Sequence, residues 1–398
     1  MRRKPLLALL AGLAVTATAP TATWAGGEIY GTILTEDGDT YTGPIRWDKN
    51  ENFWDDMLDA LKEREVEVRH ERRDVRIFGI RVTKSGGVRH VRRRLSVPFG
   101  DLASIRPDGR KFSELTLRGG EVLRVRNSAD IGPSMRGLVV DDRDLGRVEL
   151  EWEAVARLDF EGNPGPGRDD RRLFGTVDTR SARFTGFIVW DKDESLLDDI
   201  LDGDADGRRY KIPFRKIRSI RKQGKRQSEV TFAGGRTVLL RGTNDVDADN
   251  RGIVVTIPGV GYVEIDWHAF RGVTFSEAPA SRTYDTFDGG DRIRGTVLTR
   301  DGRSLDGEIT WDDDEQYTFE PLDGELRGVD FAIPFGGIAS VTRVSRRGAA
   351  VTLANGDVLT LEGTNDVNKE NKGLRVRTPD GEETRVDWMD VETVTFGR

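Results

Sequence analysis

Two loops of this chain carry side-chain oxygens in an arrangement that suits a bound cation or sugar. The motif Gly-Thr-Asn-Asp-Val occurs at 242–246 and 363–367, and a degraded copy, Asn-Ser-Ala-Asp-Ile, occurs at 127–131. The candidate ligand residues of the two intact loops are Asn244, Asp245, Asn365 and Asp366. Their oxygens can ligate calcium or sugar hydroxyls, but Asn and Asp also cap turns by bonding their own backbone. Because the motif is repeated, we favour the turn role and keep ligand binding as the alternative.

A second acidic run begins like a calcium-binding loop. Asp202, Asp204 and Asp206, followed by Gly207, spell Asp-x-Asp-x-Asp-Gly. The twelfth position of such a loop is Pro213 instead of a bidentate Glu, and no flanking helix is predicted, which excludes an EF-hand. The three Asp residues remain candidates for a looser calcium site, with a plain acidic turn as the alternative.

A basic insertion at 62–94, present only in the first of three sequence repeats, is the candidate partner-binding surface. The residues that define it are Arg69, Arg72, Arg73, Arg76, Arg92, Arg93 and Arg94. Clustered arginines can bind an acidic protein, an anionic glycan or a membrane surface. Interleaved acidic residues give the alternative, an exposed hairpin whose charges pair with one another.

Catalytic signals are nearly absent. The chain has 3 His residues and none of the nucleophile-elbow, zinc-protease, phosphate-loop or dinucleotide motifs. We therefore predict a protein that is not an enzyme and has no cofactor. Its 69 Asp and Glu residues leave a hydrolase with an unrecognised acid pair as a further alternative.

The composition indicates an exported protein. Residues 1–25 have the basic start, the short apolar run and the small residues before Ala25 that are typical of a signal peptide. The 398 residues carry a net charge of -7, which does not suggest nucleic acid as a partner. With 0 Cys, the chain has no disulfide, and no later segment is apolar enough for a transmembrane helix. We expect an extracytoplasmic, periplasmic or secreted protein.

The strands and turns that would position the candidate residues belong to a repeated sequence motif. An aromatic residue followed at spacings of three by two aliphatic residues occurs six times, beginning at Phe99, Trp152, Phe214, Trp267, Phe335 and Trp388. This short spacing predicts a 3₁₀ turn leading into a strand. We expect these Trp residues, with Trp47, Trp190 and Trp311, to lie in the core, and Trp54 is the candidate for an exposed Trp.

The chain consists of three sequence repeats, and each repeat contains two half-units. They cover 26–161, 173–276 and 292–398, and 162–172 and 277–291 read as linkers. Each first half has a strand with a central Gly that allows a bend, and each second half begins with a hairpin around a Gly-Gly or Asn-Gly turn.

The half-units resemble SH3-like small barrels, and the first half resembles the Sm-like branch. The likeness lies in the Gly-bent strand that ends in Trp-Asp, at Trp47-Asp48, Trp190-Asp191 and Trp311-Asp312, and in the short turn within 213–220. It implies an all-β tandem array of small barrels with short helical turns. The helix and loop residues with which Sm-like proteins bind RNA are missing. A β-sandwich or propeller remains an alternative.

The sequence thus predicts an exported, non-enzymatic β-repeat protein that serves as a binding or structural module of the cell envelope. Its partner would be an envelope protein or a glycan. A carbohydrate- or calcium-binding protein is the main alternative.

Overall fold

The computed structural model describes residues 27–48, 51–68, 75–77, 80–82, 87–164 and 171–397, without the side chains of 64–92. The chain forms two compact units. One contains Ala25–Gly167 with Arg282–Asp291, and the other contains Arg168–Ser281 with Arg292–Arg398. The predicted signal peptide, 1–25, lies outside the described residues. Repeat 1 therefore folds together with part of the second linker, and repeats 2 and 3 fold together.

The described part of repeat 1 contains twelve strands. They are β1 (Tyr30–Thr35), β2 (Thr40–Trp47), β3 (Met57–Val68), β4 (Val75–Ile77), β5 (Ile80–Val82), β6 (Gly87–Pro98), β7 (Leu102–Asp108), β8 (Phe112–Leu117), β9 (Val122–Arg126), β10 (Leu138–Asp142), β11 (Gly146–Leu150) and β12 (Val155–Phe160). The basic insertion is the end of the long β3–β6 hairpin, with the short β4–β5 pair between these strands. The prediction of a hairpin there is confirmed for the backbone.

Repeats 2 and 3 contain ten strands each. Repeat 2 has β13 (Phe174–Thr179), β14 (Arg183–Val189), β15 (Ile200–Ala205), β16 (Arg208–Pro213), β17 (Ile217–Lys222), β18 (Gln227–Phe232), β19 (Thr237–Arg241), β20 (Ile253–Ile257), β21 (Gly261–Ile265) and β22 (Phe270–Phe275). Repeat 3 has β23 (Arg294–Thr299), β24 (Ser304–Thr310), β25 (Pro321–Leu326), β26 (Val329–Pro334), β27 (Ile338–Arg343), β28 (Gly348–Leu353), β29 (Val358–Glu362), β30 (Leu374–Arg377), β31 (Glu383–Val386) and β32 (Val391–Phe396).

The two half-units of a repeat are interleaved in one antiparallel sheet. In repeat 1 the strand order is β11-β10-β2-β1-β12-β7-β8-β9-β3-β6. Strands of the two halves pair with each other: β10 of the second half pairs with β2 of the first half, and β3 of the first half pairs with β9 of the second half. The same exchange recurs in repeats 2 and 3. The half-units are therefore not independent folding units.

Short turns and glycines shape these sheets. Among the described residues, helical segments are one-turn 3₁₀ helices, which include Phe99–Asp101, Trp152–Ala154, Phe214–Lys216, Phe335–Gly337 and Trp388–Asp390. Trp267 begins a hydrogen-bonded turn instead. The central Gly of the bent strand is required by close approach, since a Cβ at Gly186 would lie 2.2 Å from the Thr256 carbonyl oxygen.

The prediction of an all-β repeat protein is confirmed. The described strands form two large antiparallel sheets, neither of which is closed as a barrel, and the SH3-like and Sm-like assignment stays a prediction. The core positions of Trp47, Trp190, Trp311, Trp152, Trp267 and Trp388 are confirmed, because each is at most 5% exposed. The expectation that Trp54 is exposed is wrong: its exposed fraction is 0%.

Candidate functional site

A cluster of carboxylates lies beside the buried Trp of repeat 2. Trp190 and Glu194 exchange backbone hydrogen bonds of 2.7 and 3.0 Å, which closes a tight turn after β14. Asp191, within that turn, has a φ of 50° and is fully buried. One oxygen each of Asp191, Glu194 and Asp245 lies within 4.8 Å of the others. Among the described residues, these three could hold a hard divalent cation.

The loop residues predicted as ligands hold this cluster together. Asp245 accepts a hydrogen bond from the Asp202 backbone N–H at 2.6 Å, and its carbonyl oxygen accepts one from Trp190 Nε1 at 3.0 Å. Asn244 donates its side-chain N–H to Asp191. Asp191 also accepts from the Arg251 backbone N–H at 2.5 Å and from its guanidinium at 2.8 Å. The Asn-Asp pair thus joins the loop to the Trp-Asp turn.

The arrangement recurs in repeat 3. Asp366 accepts from the Asp323 backbone N–H at 2.7 Å and from Trp311 Nε1 at 3.0 Å, and Asn365 donates to Asp312. In repeat 1, Asp130 accepts hydrogen bonds from the Asp59 backbone N–H at 3.2 Å and from Trp47 Nε1. The Asn of the motif is replaced there by Ala129. Strong conservation of these contacts between copies supports the turn role. Ligand binding by the four loop residues stays a prediction.

Each Trp-Asp turn also contains a half-buried Glu that is not among the residues predicted from sequence. Glu51, Glu194 and Glu315 each follow a Trp-Asp pair at the same spacing, so the repeated motif is Trp-Asp-x-x-Glu. The Oε2 atom of each is buried without a hydrogen-bond partner. Comparison of the three copies beyond Trp-Asp would have revealed the motif.

Burial raises the pKa of these Glu side chains. The pKa of Glu51 and of Glu194 rises to about 9, mainly by desolvation and then by neighbouring carboxylates such as Asp56 and Asp245. Burial and Asp366 raise the pKa of Glu315 in the same way. A raised pKa favours the protonated form of each Glu at neutral pH.

The Asp-x-Asp-x-Asp-Gly run forms a tight hairpin. Asp202 and Asp204 lie on β15, and Asp206 and Gly207 form the turn to β16, with a φ of 51° at Asp206. Arg209 approaches Asp202 at 3.5 Å and Asp204 at 3.8 Å. The run thus has the acidic-turn geometry, and a calcium site there stays a prediction.

The basic insertion is described only in part. Arg69, Arg72 and Arg73 lie outside the described residues, and Arg76 and Arg92 are placed by backbone alone on β4 and β6. Arg93 is half-buried, and the exposed Arg94 forms an ion pair with Asp59. Glu63 on the opposite strand lies 3.8 Å from Arg126. The role of the insertion in partner binding stays a prediction.

An acid pair lies where repeats 2 and 3 join. Glu264 on β21 is opposite Asp330 on β26, and Lys192 forms an ion pair with Glu264. Burial and the Glu325 and Glu264 carboxylates raise the pKa of Asp330. This junction is one place where the hydrolase alternative can be tested.

Repeat 1 binds a segment of the second linker, Arg282–Asp291, which we call the linker peptide. The Tyr284 ring packs on Trp54 with 4.6 Å between centroids, and the Tyr284 hydroxyl donates to the Leu102 carbonyl at 2.8 Å. The Arg118 guanidinium lies 4.2 Å from the centroid of the Tyr284 ring and donates to the Phe287 carbonyl at 3.3 Å. Trp54 is buried through these contacts.

The other end of the linker peptide is held by its backbone. Asp101 accepts a hydrogen bond from the Gly289 N–H at 2.9 Å, and Gly119 donates to the Gly289 carbonyl at 2.9 Å. The Phe287 ring packs against Gly100 and leaves no room for a side chain there. A Cβ added at Gly100 would lie 2.3 Å from a carbon of that ring. Burial, followed by the Asp288 carboxylate, raises the pKa of Asp101 to about 7.

Trp54, Asp101 and Arg118 are specific to repeat 1, whereas repeat 3 also has a Gly at the position of Gly100. At the positions of Trp54, Gly100, Asp101 and Arg118, repeat 2 has Leu197, Arg215, Lys216 and Ala233, and repeat 3 has Thr318, Gly336, Gly337 and Ala354. From its composition, 277–291 is predicted to be a plain linker. Its signal is the aromatic pair Tyr284 and Phe287 within a segment of Asp and Gly.

No family model matches the chain, and no curated protein or solved structure matches it either. Among the described residues, no helix is long and apolar enough to cross a membrane. The candidate functions are therefore judged from the geometry of the sites.

Proposed function

We propose that the protein is an exported, non-enzymatic scaffold of the cell envelope whose first repeat binds extended peptides. The observation that carries this proposal is the linker peptide in repeat 1, held by Trp54, Asp101 and Arg118. Because repeats 2 and 3 lack these residues, the site is an addition to the shared fold rather than part of it. The units would be SH3-like in kind, and the chain would act outside the cytoplasm.

The contacts define the peptide chemistry that the groove recognises. An aromatic ring fits between Trp54 and Arg118, and a second aromatic ring fits over Gly100. Two glycines follow after Asp288, and the N–H of the first, Gly289, donates a hydrogen bond to the Asp101 carboxylate. A partner segment with the pattern aromatic-x-x-aromatic-Asp-Gly-Gly would compete with the chain's own linker peptide.

The basic insertion suits a second contact with the same partner. It belongs to the repeat that has the groove, and arginines attract an acidic protein surface. The proposed partner is therefore an acidic envelope protein that presents such a peptide.

A labelled peptide with the sequence of residues 282–291 tests the proposal. Binding is measured by fluorescence anisotropy to a full chain with Tyr284→Ala and Phe287→Ala, in which the groove is vacated. Saturable binding that is stronger than to the unaltered chain is expected, because the tethered peptide competes in the latter. Addition of Arg118→Ala should weaken binding at least about tenfold, and the Ala residues of repeats 2 and 3 indicate that the fold accepts it. No binding to a vacated, folded chain would refute the proposal.

Calcium or glycan binding by the Asn-Asp loops is tested separately by calorimetry. No heat is expected, since Asp191, Asp245 and Asp366 already accept protein N–H donors. Saturable heat that is lost with Asp245→Ala and Asp366→Ala would favour the ligand-binding alternative.

A further inference from the structure

The Gly-Gly pair of the linker peptide is fixed by its backbone conformation. Gly289 and Gly290 have φ angles of 86° and 84°, in the left-handed region that favours Gly. A Cβ added at Gly289 would also lie 3.1 Å from the Cβ of Arg118. A partner segment that docks in the same way therefore carries Gly at both positions, which leaves the residue before them as the place where partners can differ.

That residue is Asp288, and its side chain is in contact with the buried Asp101. Asp101 accepts a hydrogen bond from the Gly289 N–H at 2.9 Å, and Asp288 accepts one from the Gly290 N–H at 3.0 Å. A hydrogen bond also joins the two Asp side chains, which requires a proton on one of them. Because Asp101 is only 3% exposed, water screens this contact weakly.

The charged groups of the linker peptide act on Asp101 in opposite directions. After burial, the Asp288 carboxylate has the largest effect and raises the pKa of Asp101, whereas Arg282 lowers it, and the result is a pKa of about 7. The Arg282 guanidinium is also engaged elsewhere, since it lies 3.6 Å from the centroid of the Phe287 ring. Tyr284 is neutral here, because burial raises its pKa to about 12.

Arg118 is the charged side chain of repeat 1 that packs on the linker peptide. Its guanidinium lies 4.2 Å from the centroid of the Tyr284 ring and donates to the Gly100 carbonyl at 3.3 Å. Among the described residues, neither this guanidinium nor that of Arg282 forms an ion pair with Asp101. A deprotonated Asp101 thus has no ion-pair partner, and a second carboxylate beside it is unfavourable.

An amide at the position of Asp288 would remove the like charge and keep the turn. The side-chain oxygen of Asn accepts a hydrogen bond as that of Asp does, so the bond from the Gly290 N–H is retained. The side-chain NH₂ of Asn can donate to the Asp101 carboxylate without any added proton. Asn therefore suits a deprotonated Asp101 better than Asp does.

We infer that the groove of repeat 1 prefers a partner segment with Asn at the position of Asp288, that is, with the pattern aromatic-x-x-aromatic-Asn-Gly-Gly. This inference rests on the proposed peptide binding and names the residue that sets its specificity. Asp101 provides the selection, since repeats 2 and 3 have Lys216 and Gly337 at its position. The chain's own linker peptide, with its Asp, is the weaker occupant at neutral pH.

Three peptides test the inference. They are the sequence of residues 282–291, the same peptide with Asp288→Asn, and the same peptide with Asp285→Asn, which loses an equal charge from another exposed residue. Each is titrated at pH 8 into the full chain with Tyr284→Ala and Phe287→Ala, and binding is followed by fluorescence anisotropy. The Asp288→Asn peptide should bind about tenfold more tightly than the unaltered peptide, and the Asp285→Asn peptide within about twofold of it.

A lower pH should remove the preference. At pH 5 the Asp101 beside a bound Asp288 holds a proton, so the advantage of the Asp288→Asn peptide should fall to about twofold or less. Asp101→Asn in the full chain should abolish the preference at pH 8, because the like charge is then absent from the groove. A preference that persists in this variant would overturn the inference.

The outcomes separate this inference from the proposed function. Equal binding of the Asp288→Asn peptide and the unaltered peptide at pH 8 would overturn the inference and leave peptide binding by repeat 1 intact. Absence of binding by all three peptides would refute the proposed function, and the inference would fall with it.

The intact chain provides a readout that needs no added peptide. Asp288→Asn in the full chain should raise the thermal midpoint of unfolding at pH 8 by about 2 °C and leave it unchanged at pH 5. The matched control, Asp285→Asn, should change neither midpoint. A midpoint at pH 8 that is unchanged or lowered by Asp288→Asn would overturn the inference.

Discussion

The ring of Tyr284 packs on the ring of Trp54, with 4.6 Å between their centroids. One residue belongs to the linker between repeats 2 and 3, and the other belongs to repeat 1. This contact buries a Trp that neither of the other repeats has at that position. The linker peptide is therefore a structural part of repeat 1 as well as a connection.

Tyr284→Ala should release the linker peptide and destabilise repeat 1. The change removes the ring contact with Trp54, the Arg118 contact and the hydrogen bond to Leu102, and we expect a loss of about 2 kcal/mol. Urea unfolding followed by Trp fluorescence measures it. Thr283→Ala is the matched control in the same segment and should change stability by less than about 0.5 kcal/mol. Equal effects would contradict the packing role of Tyr284.

Docking of the linker peptide should weaken as the pH rises. The pKa of Asp101 is raised from 3.8 to about 7, so the docked state keeps a proton that the unfolded chain releases. Stability from this group is complete below about pH 4 and is lost as the pH rises towards 7, by about 1.4 kcal/mol per unit at most. Unfolding of Asp101→Asn should lack this dependence. An unchanged pH profile would show that Asp101 does not titrate in this range.

Glu194→Gln should be nearly silent at neutral pH, since the protonated Glu and the amide are similar in shape and both neutral. The raised pKa of Glu194, about 9, means that wild-type stability falls as the pH rises from 4.5 to 9. The Gln variant should be within about 0.5 kcal/mol of wild type at pH 6 and more stable than it at pH 10. Thermal unfolding across this range measures both. Calcium that stabilises wild type but not the variant would instead support a metal site.

Two buried Trp residues of repeat 2 should respond differently to replacement by Phe. Trp190 Nε1 donates to the Asp245 carbonyl at 3.0 Å, whereas Trp267 Nε1 is buried without a partner. Trp190→Phe should therefore cost about 1 kcal/mol more than Trp267→Phe. Trp267→Ala should cost about 3–5 kcal/mol, because it leaves a cavity in the core. Chemical denaturation compares the three variants, and equal costs of the two Phe variants would contradict the hydrogen-bond argument.

The basic insertion should be dispensable for folding. Repeat 2 joins the equivalent strands with Asp206-Gly207, so replacing residues 63–92 of repeat 1 by Asp-Gly recreates a known turn. Leu58, Ala60 and Leu95, which are buried, are retained. The variant should keep the thermal midpoint within a few degrees and lose binding to acidic proteins. Loss of folding would contradict a purely partner-binding role, and retained binding would place the partner elsewhere.

Local patterns were sufficient to predict the strands, turns and core aromatic residues. Trp190 and Trp311 continue the alternation of β14 and β24, and Phe214 and Trp388 begin the expected 3₁₀ turns. Short-range spacing fixes these features because the backbone geometry of a strand or turn is local.

Long-range features were not predictable in the same way. The exchange of strands between half-units depends on pairs such as β2 with β10, which sequence pattern does not encode. Trp54 was expected to be exposed because the residue that covers it, Tyr284, lies in another repeat's linker. The raised pKa of Glu194 follows from its desolvation beside Asp191 and Asp245, and this arrangement exists only in the folded chain.

Photocrosslinking tests the peptide-binding groove most directly. A peptide with the sequence of residues 282–291 carries benzoylphenylalanine in place of Phe287 and is irradiated with the full chain bearing Tyr284→Ala and Phe287→Ala. Because Phe287 lies against Gly100, adducts mapped by mass spectrometry should concentrate in repeat 1 around Gly100 and disappear with Arg118→Ala. Adducts distributed equally over the three repeats would contradict a peptide-binding groove in repeat 1.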